Sequence, residues 1–240
     1  MKKTFPLLVL VVFPFLSPTS AHADSILSVS ETAQPNPGGP FPFDLPDYPN
    51  FVGFSFTLDR SFSNVSITAE NMQLVQVLGS AAWLTNSIGP DAAAANVIAT
   101  TTFSYNVPGH TFVGPITFFD DYGIDLSAGT YYFLISSQGP GFGYWGGGGA
   151  LGPVIAAPGV TDFSFFWTAS EFDCSERPPE SSGCNNYAFP PASLWPASTT
   201  TTEPFIPFEV DATPVPEPSS IAFLISGLLA LASVRRKHKV

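Results

Sequence analysis

The feature that most limits the fold of this 240-residue chain is the short period of its apolar residues. Between residues 24 and 211, apolar side chains alternate with polar ones, as in residues 51–58 and 62–69, and the runs end at Asn, Asp, Gly or Pro. A period of two places apolar residues on one face of a half-buried strand. Since no amphipathic segment of helical length separates these runs, a doubly wound α/β fold is excluded.

The remaining strands are predicted from the same pattern. They cover residues 81–87, 96–105, 116–120, 129–137, 163–169, 186–189 and 205–210. Residues 86–90, 107–109 and 127–129 have the composition of turns. About eight to ten strands without a long helix predict an all-β fold, an antiparallel β-sandwich of jelly-roll type over residues 24–214. A closed barrel of similar strand number is the alternative.

Charge separates the ends of the chain from its body. Six of the eight basic residues lie in the first three or last six positions. Residues 24–217 contain two basic and all 19 acidic residues, a formal charge of −17, against −11 for the whole chain. A body this acidic repels phosphate backbones, which excludes nucleic acid as a partner.

The first 23 residues have the organisation of a signal peptide. Lys2 and Lys3 precede an apolar run at residues 5–16, and the segment ends at Ala21-His22-Ala23. This is the order of charged region, apolar region and A-x-A site that signal peptidase requires. We therefore predict that the mature protein begins at Asp24.

Residues 215–240 form a tail with three parts. Pro216-Glu217-Pro218 is followed by the uncharged residues 221–234, and these by the basic residues 235–239. An apolar helix followed by a basic cluster is typical of a stop-transfer segment whose charges stay on the cytoplasmic side. The pattern predicts a transmembrane helix that holds the chain transiently in the inner membrane.

This tail closely resembles the PEP-CTERM sorting signal of Gram-negative bacteria that make extracellular polysaccharide. The resemblance rests on Pro216, Glu217 and Pro218, on the apolar segment and on the basic end, in that order. It implies recognition by an exosortase, a membrane transpeptidase-like enzyme that cuts near the motif and releases or transfers the protein to the cell surface. The body, at residues 54–58, 65–67, 84–90 and 126–132, resembles the β-sandwich domain common on such proteins.

Nucleophilic and redox chemistry has few candidates. Cys174 and Cys184 are the only cysteines, and an oxidising compartment predicts a disulfide that closes one surface loop. His110 follows Pro108-Gly109 in a predicted turn without a nucleophile-elbow motif, so we expect it to be a loop residue rather than a catalytic one.

Acidic residues offer two further hypotheses. Asp120, Asp121 and Asp125 lie within six residues around Gly123, and hard oxygen ligands on a turn suit Ca²⁺. A solvated turn is the alternative. Several carboxylate pairs, among them Glu171 with Asp173 and Glu176 with Glu180, leave a glycosidase pair open.

Two aromatic residues in a Gly-rich segment are the candidates for glycan binding. Tyr144 and Trp145 lie between Gly143 and a run of four glycines, and aromatic rings in a flexible loop suit stacking on a sugar. Packing of the two rings within the fold is the alternative. The segment has no phosphate-loop Lys, which excludes nucleotide binding.

These observations favour an exported, non-enzymatic protein of structural or interaction type without a cofactor, associated with exopolysaccharide at the cell surface or in the extracellular matrix. A carbohydrate-binding module is the alternative, and a surface glycoside hydrolase is a third hypothesis.

Overall fold

The computed structural model describes residues 23–35, 41–44, 51–75, 77–88, 92–120, 122–137, 142–145, 149–168, 198–201, 204, 206–216 and 225–228. These ranges contain sixteen strands, a 3-10 turn at Ala94–Asn96 and one helical turn at 225–228. The all-β prediction is confirmed. The strands outnumber the predicted ones because several are short segments, down to the two residues of Ile155–Ala156, that no period can reveal.

Eight strands form the first sheet: β1 (Asp24–Val29), β3 (Phe41–Asp44), β5 (Phe62–Val75), β8 (Phe112–Phe118), β9 (Ile124–Leu126), β11 (Phe142–Trp145), β13 (Ile155–Ala156) and β16 (Phe208–Pro214). Their order is β13-β1-β16-β5-β11-β3, and β8 and β9 also pair with β5. The last strand of the chain therefore lies between β1 and β5, in the middle of this sheet.

Six strands form the second sheet: β4 (Phe51–Leu58), β6 (Val77–Thr85), β7 (Val97–Tyr105), β10 (Gly129–Ser137), β14 (Val160–Thr168) and β15 (Ser198–Thr201). Their order is β15-β14-β4-β10-β6-β7, and a two-stranded sheet joins β2 (Glu31–Pro35) to β12 (Gly149–Leu151). Every described pair is antiparallel.

Aromatic side chains join the two sheets face to face. The ring of Phe54 on β4 stacks on that of Phe208 on β16, with centroids 3.8 Å apart and planes 20° from parallel. Phe133 on β10 contacts Phe118 on β8 at 5.5 Å. All four rings are at most 2% exposed. No described strand of one sheet pairs with a strand of the other, which favours the sandwich over the closed barrel.

Two of the predicted strands agree closely with the structure. Residues 129–137 match β10, and residues 96–105 match β7 to within one residue. The last strand is displaced: the prediction covered residues 205–210, whereas β16 begins at Phe208 and continues to Pro214. Predicted strand 186–189 lies outside the described residues.

The second sheet also carries apolar side chains away from the main core. Trp83, Leu134 and Phe166 are at most 2% exposed and form a separate cluster. Their backbones lie in one cross-strand row, in which Gly53 stands between Phe166 and Leu134. A Cβ on Gly53 would overlap the carbonyl oxygen of Phe133 and lie 3.1 Å from Phe166 Cζ. Only glycine lets the Phe166 ring lie close to β4.

Gly53→Ala should therefore destabilise the protein by about 3 kcal/mol or more, because backbone atoms cannot move aside as a flexible side chain does. Urea unfolding of the two proteins measures the difference. Gly114→Ala is the matched control, since its Cβ would meet nothing nearer than Phe112 Cζ at 3.4 Å. Equal losses of stability in the two variants would contradict this account of Gly53.

Candidate functional site

The structure corrects the expectation that Trp145 is an exposed ring. Its side chain is 0% exposed and packs against Phe54 and Phe133, with centroids 6.4 and 5.9 Å away. The indole Nε1 donates a hydrogen bond of 2.7 Å to the carbonyl oxygen of Pro207. A ring with both faces in the core and its only polar atom bonded cannot stack on a sugar.

The predicted flexible loop around these aromatics is partly a strand. Residues 142–145 form β11, which lies between β5 and β3. The backbone of Tyr144 pairs with Pro42 on one side and Gln73 on the other. The side chain of Tyr144 lies outside the described part of the chain, so Tyr144 alone remains of the glycan-stacking hypothesis.

Trp145→Ala should destabilise the protein by about 3–5 kcal/mol, since it removes a large core side chain. Trp145→Phe keeps most of the volume but removes one of the two donors to the Pro207 carbonyl, which still accepts from the Glu70 amide at 3.1 Å, and should cost about 0.5–1.5 kcal/mol. Urea unfolding monitored by circular dichroism checks both values. An unchanged midpoint for Trp145→Ala would contradict the burial of this ring.

The candidate calcium residues surround a break in the edge strand beside β5. β8 and β9 both pair with β5, and the chain leaves the sheet between them, where Phe119 and Gly123 have left-handed φ values of 69° and 59°. Asp120 and Asp125 are exposed, and Asp121 lies outside the described residues. Within the described ranges, no group of three or more acidic, His or Cys side chains could hold a metal ion. The calcium hypothesis therefore remains a prediction.

The remaining candidate residues either lie in an exposed turn or fall outside the described residues. His110 is exposed and its amide donates to the Val107 carbonyl at 3.1 Å, in the turn that the sequence predicts. Cys174 and Cys184 lie outside the described residues, as do the carboxylate pairs Glu171 with Asp173 and Glu176 with Glu180.

The two ends of the folded body lie side by side. Asp24, at the start of β1, pairs with Ala212 near the end of β16. At the same end of the sheets, Pro214 pairs with Phe62 at the start of β5. The chain thus enters and leaves the body at one end, which we call the tail end.

The predicted sorting motif begins directly outside this end. The Val215 amide donates a hydrogen bond of 3.0 Å to the Ser61 carbonyl, and Val215 is 40% exposed. Pro216 is exposed, whereas Glu217 and Pro218 lie outside the described residues. Val215, which makes this hydrogen bond, is therefore directly followed by the first residue of the predicted motif. Among the described helical residues, none belongs to a helix long and apolar enough to span a bilayer.

An acidic stripe runs along β16 in the first sheet, from Glu70 beside the start of this strand to Asp211 near the tail end. Glu209 and Asp211 alternate with buried residues on β16. Burial, followed by the charges of Glu209 and Glu31, raises the pKa of Glu70. Burial, followed by the charges of Glu209 and Asp24, raises the pKa of Asp211. Glu209 is the charge common to both shifts.

These raised pKa values set a pH dependence. A carboxyl whose pKa is higher in the folded state stabilises the fold below its unfolded pKa, and this contribution is lost as pH rises through the folded value. Glu209→Gln removes one repulsion from both Glu70 and Asp211, so it should raise the melting temperature at pH 7. The gain should vanish below about pH 3, where the carboxyls are protonated.

Asp162→Asn on β14 is the control for this experiment, because it removes one negative charge from the other sheet. Calorimetry at several pH values compares the two variants. A gain in Glu209→Gln that persists at low pH, or an equal gain in Asp162→Asn, would contradict a local repulsion around Glu209.

No family model, curated protein or solved structure matches this chain.

The sequence analysis missed the acidic stripe. Glu70 and Glu209 are distant in the sequence and meet because β16 pairs with β5, Glu209 opposite Thr68. The alternation of Glu209 and Asp211 with Phe208 and Val210 was a signal that both carboxyls share one face of a strand. It could not identify the neighbouring strand.

Proposed function

We propose that this chain is an exported, non-enzymatic protein that is sorted to the cell surface or extracellular matrix by its C-terminal tail. In this proposal signal peptidase removes residues 1–23, and an exosortase-type enzyme recognises Pro216-Glu217-Pro218 and removes the membrane segment and the basic end. The body between them is a β-sandwich of jelly-roll type that acts in structure or interaction, associated with exopolysaccharide. The segment with Cys174 and Cys184 carries the one disulfide.

The position of the strand ends carries this proposal. β1 begins at Asp24, the residue that follows the predicted A-x-A site, and β16 ends at Pro214, two residues before Pro216. The strand boundaries come from hydrogen bonding, whereas the processing sites come from sequence patterns at the two ends. Their agreement supports a folded body that both cleavages leave intact.

The arrangement of the chain at the tail end also supports this proposal. Because Asp24 pairs with Ala212, the signal segment and the tail leave the body next to each other. Both apolar segments can therefore be held in one membrane while the body folds on the outer side. The far ends of both sheets then point away from the membrane, where a structural or binding surface is useful.

The rival functions have less support. A carbohydrate-binding module loses Trp145 as a stacking residue, because this side chain belongs to the core. The carboxylate pairs named for glycoside hydrolysis lie outside the described residues. A structural or interaction role needs neither.

The intact mass of the exported wild-type protein should correspond to a chain that begins at Asp24 and lacks residues 235–240. Glu217→Ala should instead leave the tail attached and the protein in the inner membrane, because it removes the charged centre of the motif. Mass spectrometry of surface and membrane fractions checks both outcomes.

Ser219→Ala is the control, one residue beyond the motif and without a charge. It should be processed like the wild type. A wild-type surface form that retains the basic end would contradict the proposal, and so would normal processing of Glu217→Ala.

A further inference from the structure

The last residues of the folded body, 213–215, are held on one side only. We call them the exit segment. As far as Ala212, β16 lies between β1 and β5, and Ala212 pairs with Asp24. Beyond Ala212, the described strand pairs join β16 to β5 alone. A strand that loses one neighbour loses half of its backbone hydrogen-bonding partners.

The remaining pairing with β5 is irregular. The register shifts between Asp211 and Thr213, opposite Asn64, whose φ is 53°. The Ser63 hydroxyl donates to the Thr213 carbonyl over 3.4 Å, a long hydrogen bond. Pro214 has no amide hydrogen to donate. The Val215 amide donates a hydrogen bond of 3.0 Å to the Ser61 carbonyl.

The side chain of Thr213 disfavours the state in which the exit segment is paired with β5. It is 7% exposed, and its Oγ1 has no hydrogen-bond partner among the described residues. A buried hydroxyl without a partner has lost its water without compensation. If the exit segment detaches from β5, this hydroxyl is hydrated again. Its hydration recovers part of the free energy that is lost when the contacts with β5 break.

We infer that the exit segment opens locally from β5 and that this opening controls removal of the tail. The inference rests on the proposed function. Five residues separate Val215 from the predicted helix at residue 221, at most about 17 Å of extended chain. An enzyme in the membrane therefore has to bind the motif while the motif lies close to the folded body. An enzyme site that takes up extended chain needs residues on both sides of the cut, and the open exit segment supplies the N-terminal ones.

Hydrogen exchange of the full-length protein, purified in detergent from a host without the sorting enzyme, measures the opening directly. The Val215 amide should exchange at least tenfold faster than the Val210 amide, which belongs to the two-sided part of β16. Equal protection of the two amides overturns the inference, whatever happens to the tail in cells.

Two variants link opening to processing. Thr213→Val keeps the shape of the side chain and removes the unpaired hydroxyl, so it should slow both Val215 exchange and tail removal about fivefold. Ser63→Ala removes the bond to the Thr213 carbonyl from the other strand, and should accelerate both without changing the segment that the enzyme binds. Thr68→Val is the control, since its hydroxyl is bonded to Thr117 at 3.0 Å and lies away from the exit segment.

Pulse-chase labelling in a host with the sorting enzyme gives the rate of tail removal. Parallel changes in exchange and removal, in opposite directions for Thr213→Val and Ser63→Ala, support the inference. Altered exchange with unaltered removal overturns it and leaves the proposed function standing. A wild-type tail that is never removed overturns the proposed function and this inference with it.

Discussion

The stacking of Phe208 on Phe54 is the contact on which the rest of the fold depends. It places β16, the last strand of the body, over β4 and between β1 and β5. The ring of Phe165 lies 5.9 Å from that of Phe208. The Trp145 indole donates a hydrogen bond to the carbonyl of Pro207, the residue before Phe208. Without β16, the core would lack its central aromatic contact and β1 its main partner.

This dependence has a consequence for the order of folding. β1 and β16 lie at opposite ends of the sequence, and pairs of such separation form late because they close a long loop. The body can complete its first sheet only when residues 208–214 are available. In the proposed export these residues emerge just before the tail, so completion of the fold would coincide with arrival of the predicted sorting motif. The exit segment would then lie between the folded body and the residues that the proposed sorting enzyme binds.

Much of the fold could be predicted from local sequence. A continuous apolar run bounded by Gly129 and Ser136 identifies β10, whose residues Tyr131, Phe133 and Ile135 are buried in the core. Trp145 shows the limit of such reasoning. Its Gly-rich flanks indicate a loop, but its burial depends on Pro207 and Phe54, which are distant in sequence. No local sequence pattern identifies the distant residues that surround a buried ring.

The candidate sites also differ in whether a local sequence pattern can predict them. The processing sites stay predictions from short linear patterns, and the strand ends at Asp24 and Pro214 are compatible with them. The acidic stripe could not be predicted in this way, because it arises where β16 meets β5 and β1. The body therefore concentrates these carboxyl groups on β16 and on its two neighbours, β5 and β1. Repulsion between Glu209 and its neighbours opposes the pairing that Phe208 and Val210 favour by burial, and apolar burial on the opposite face of β16 is what holds the strand in place.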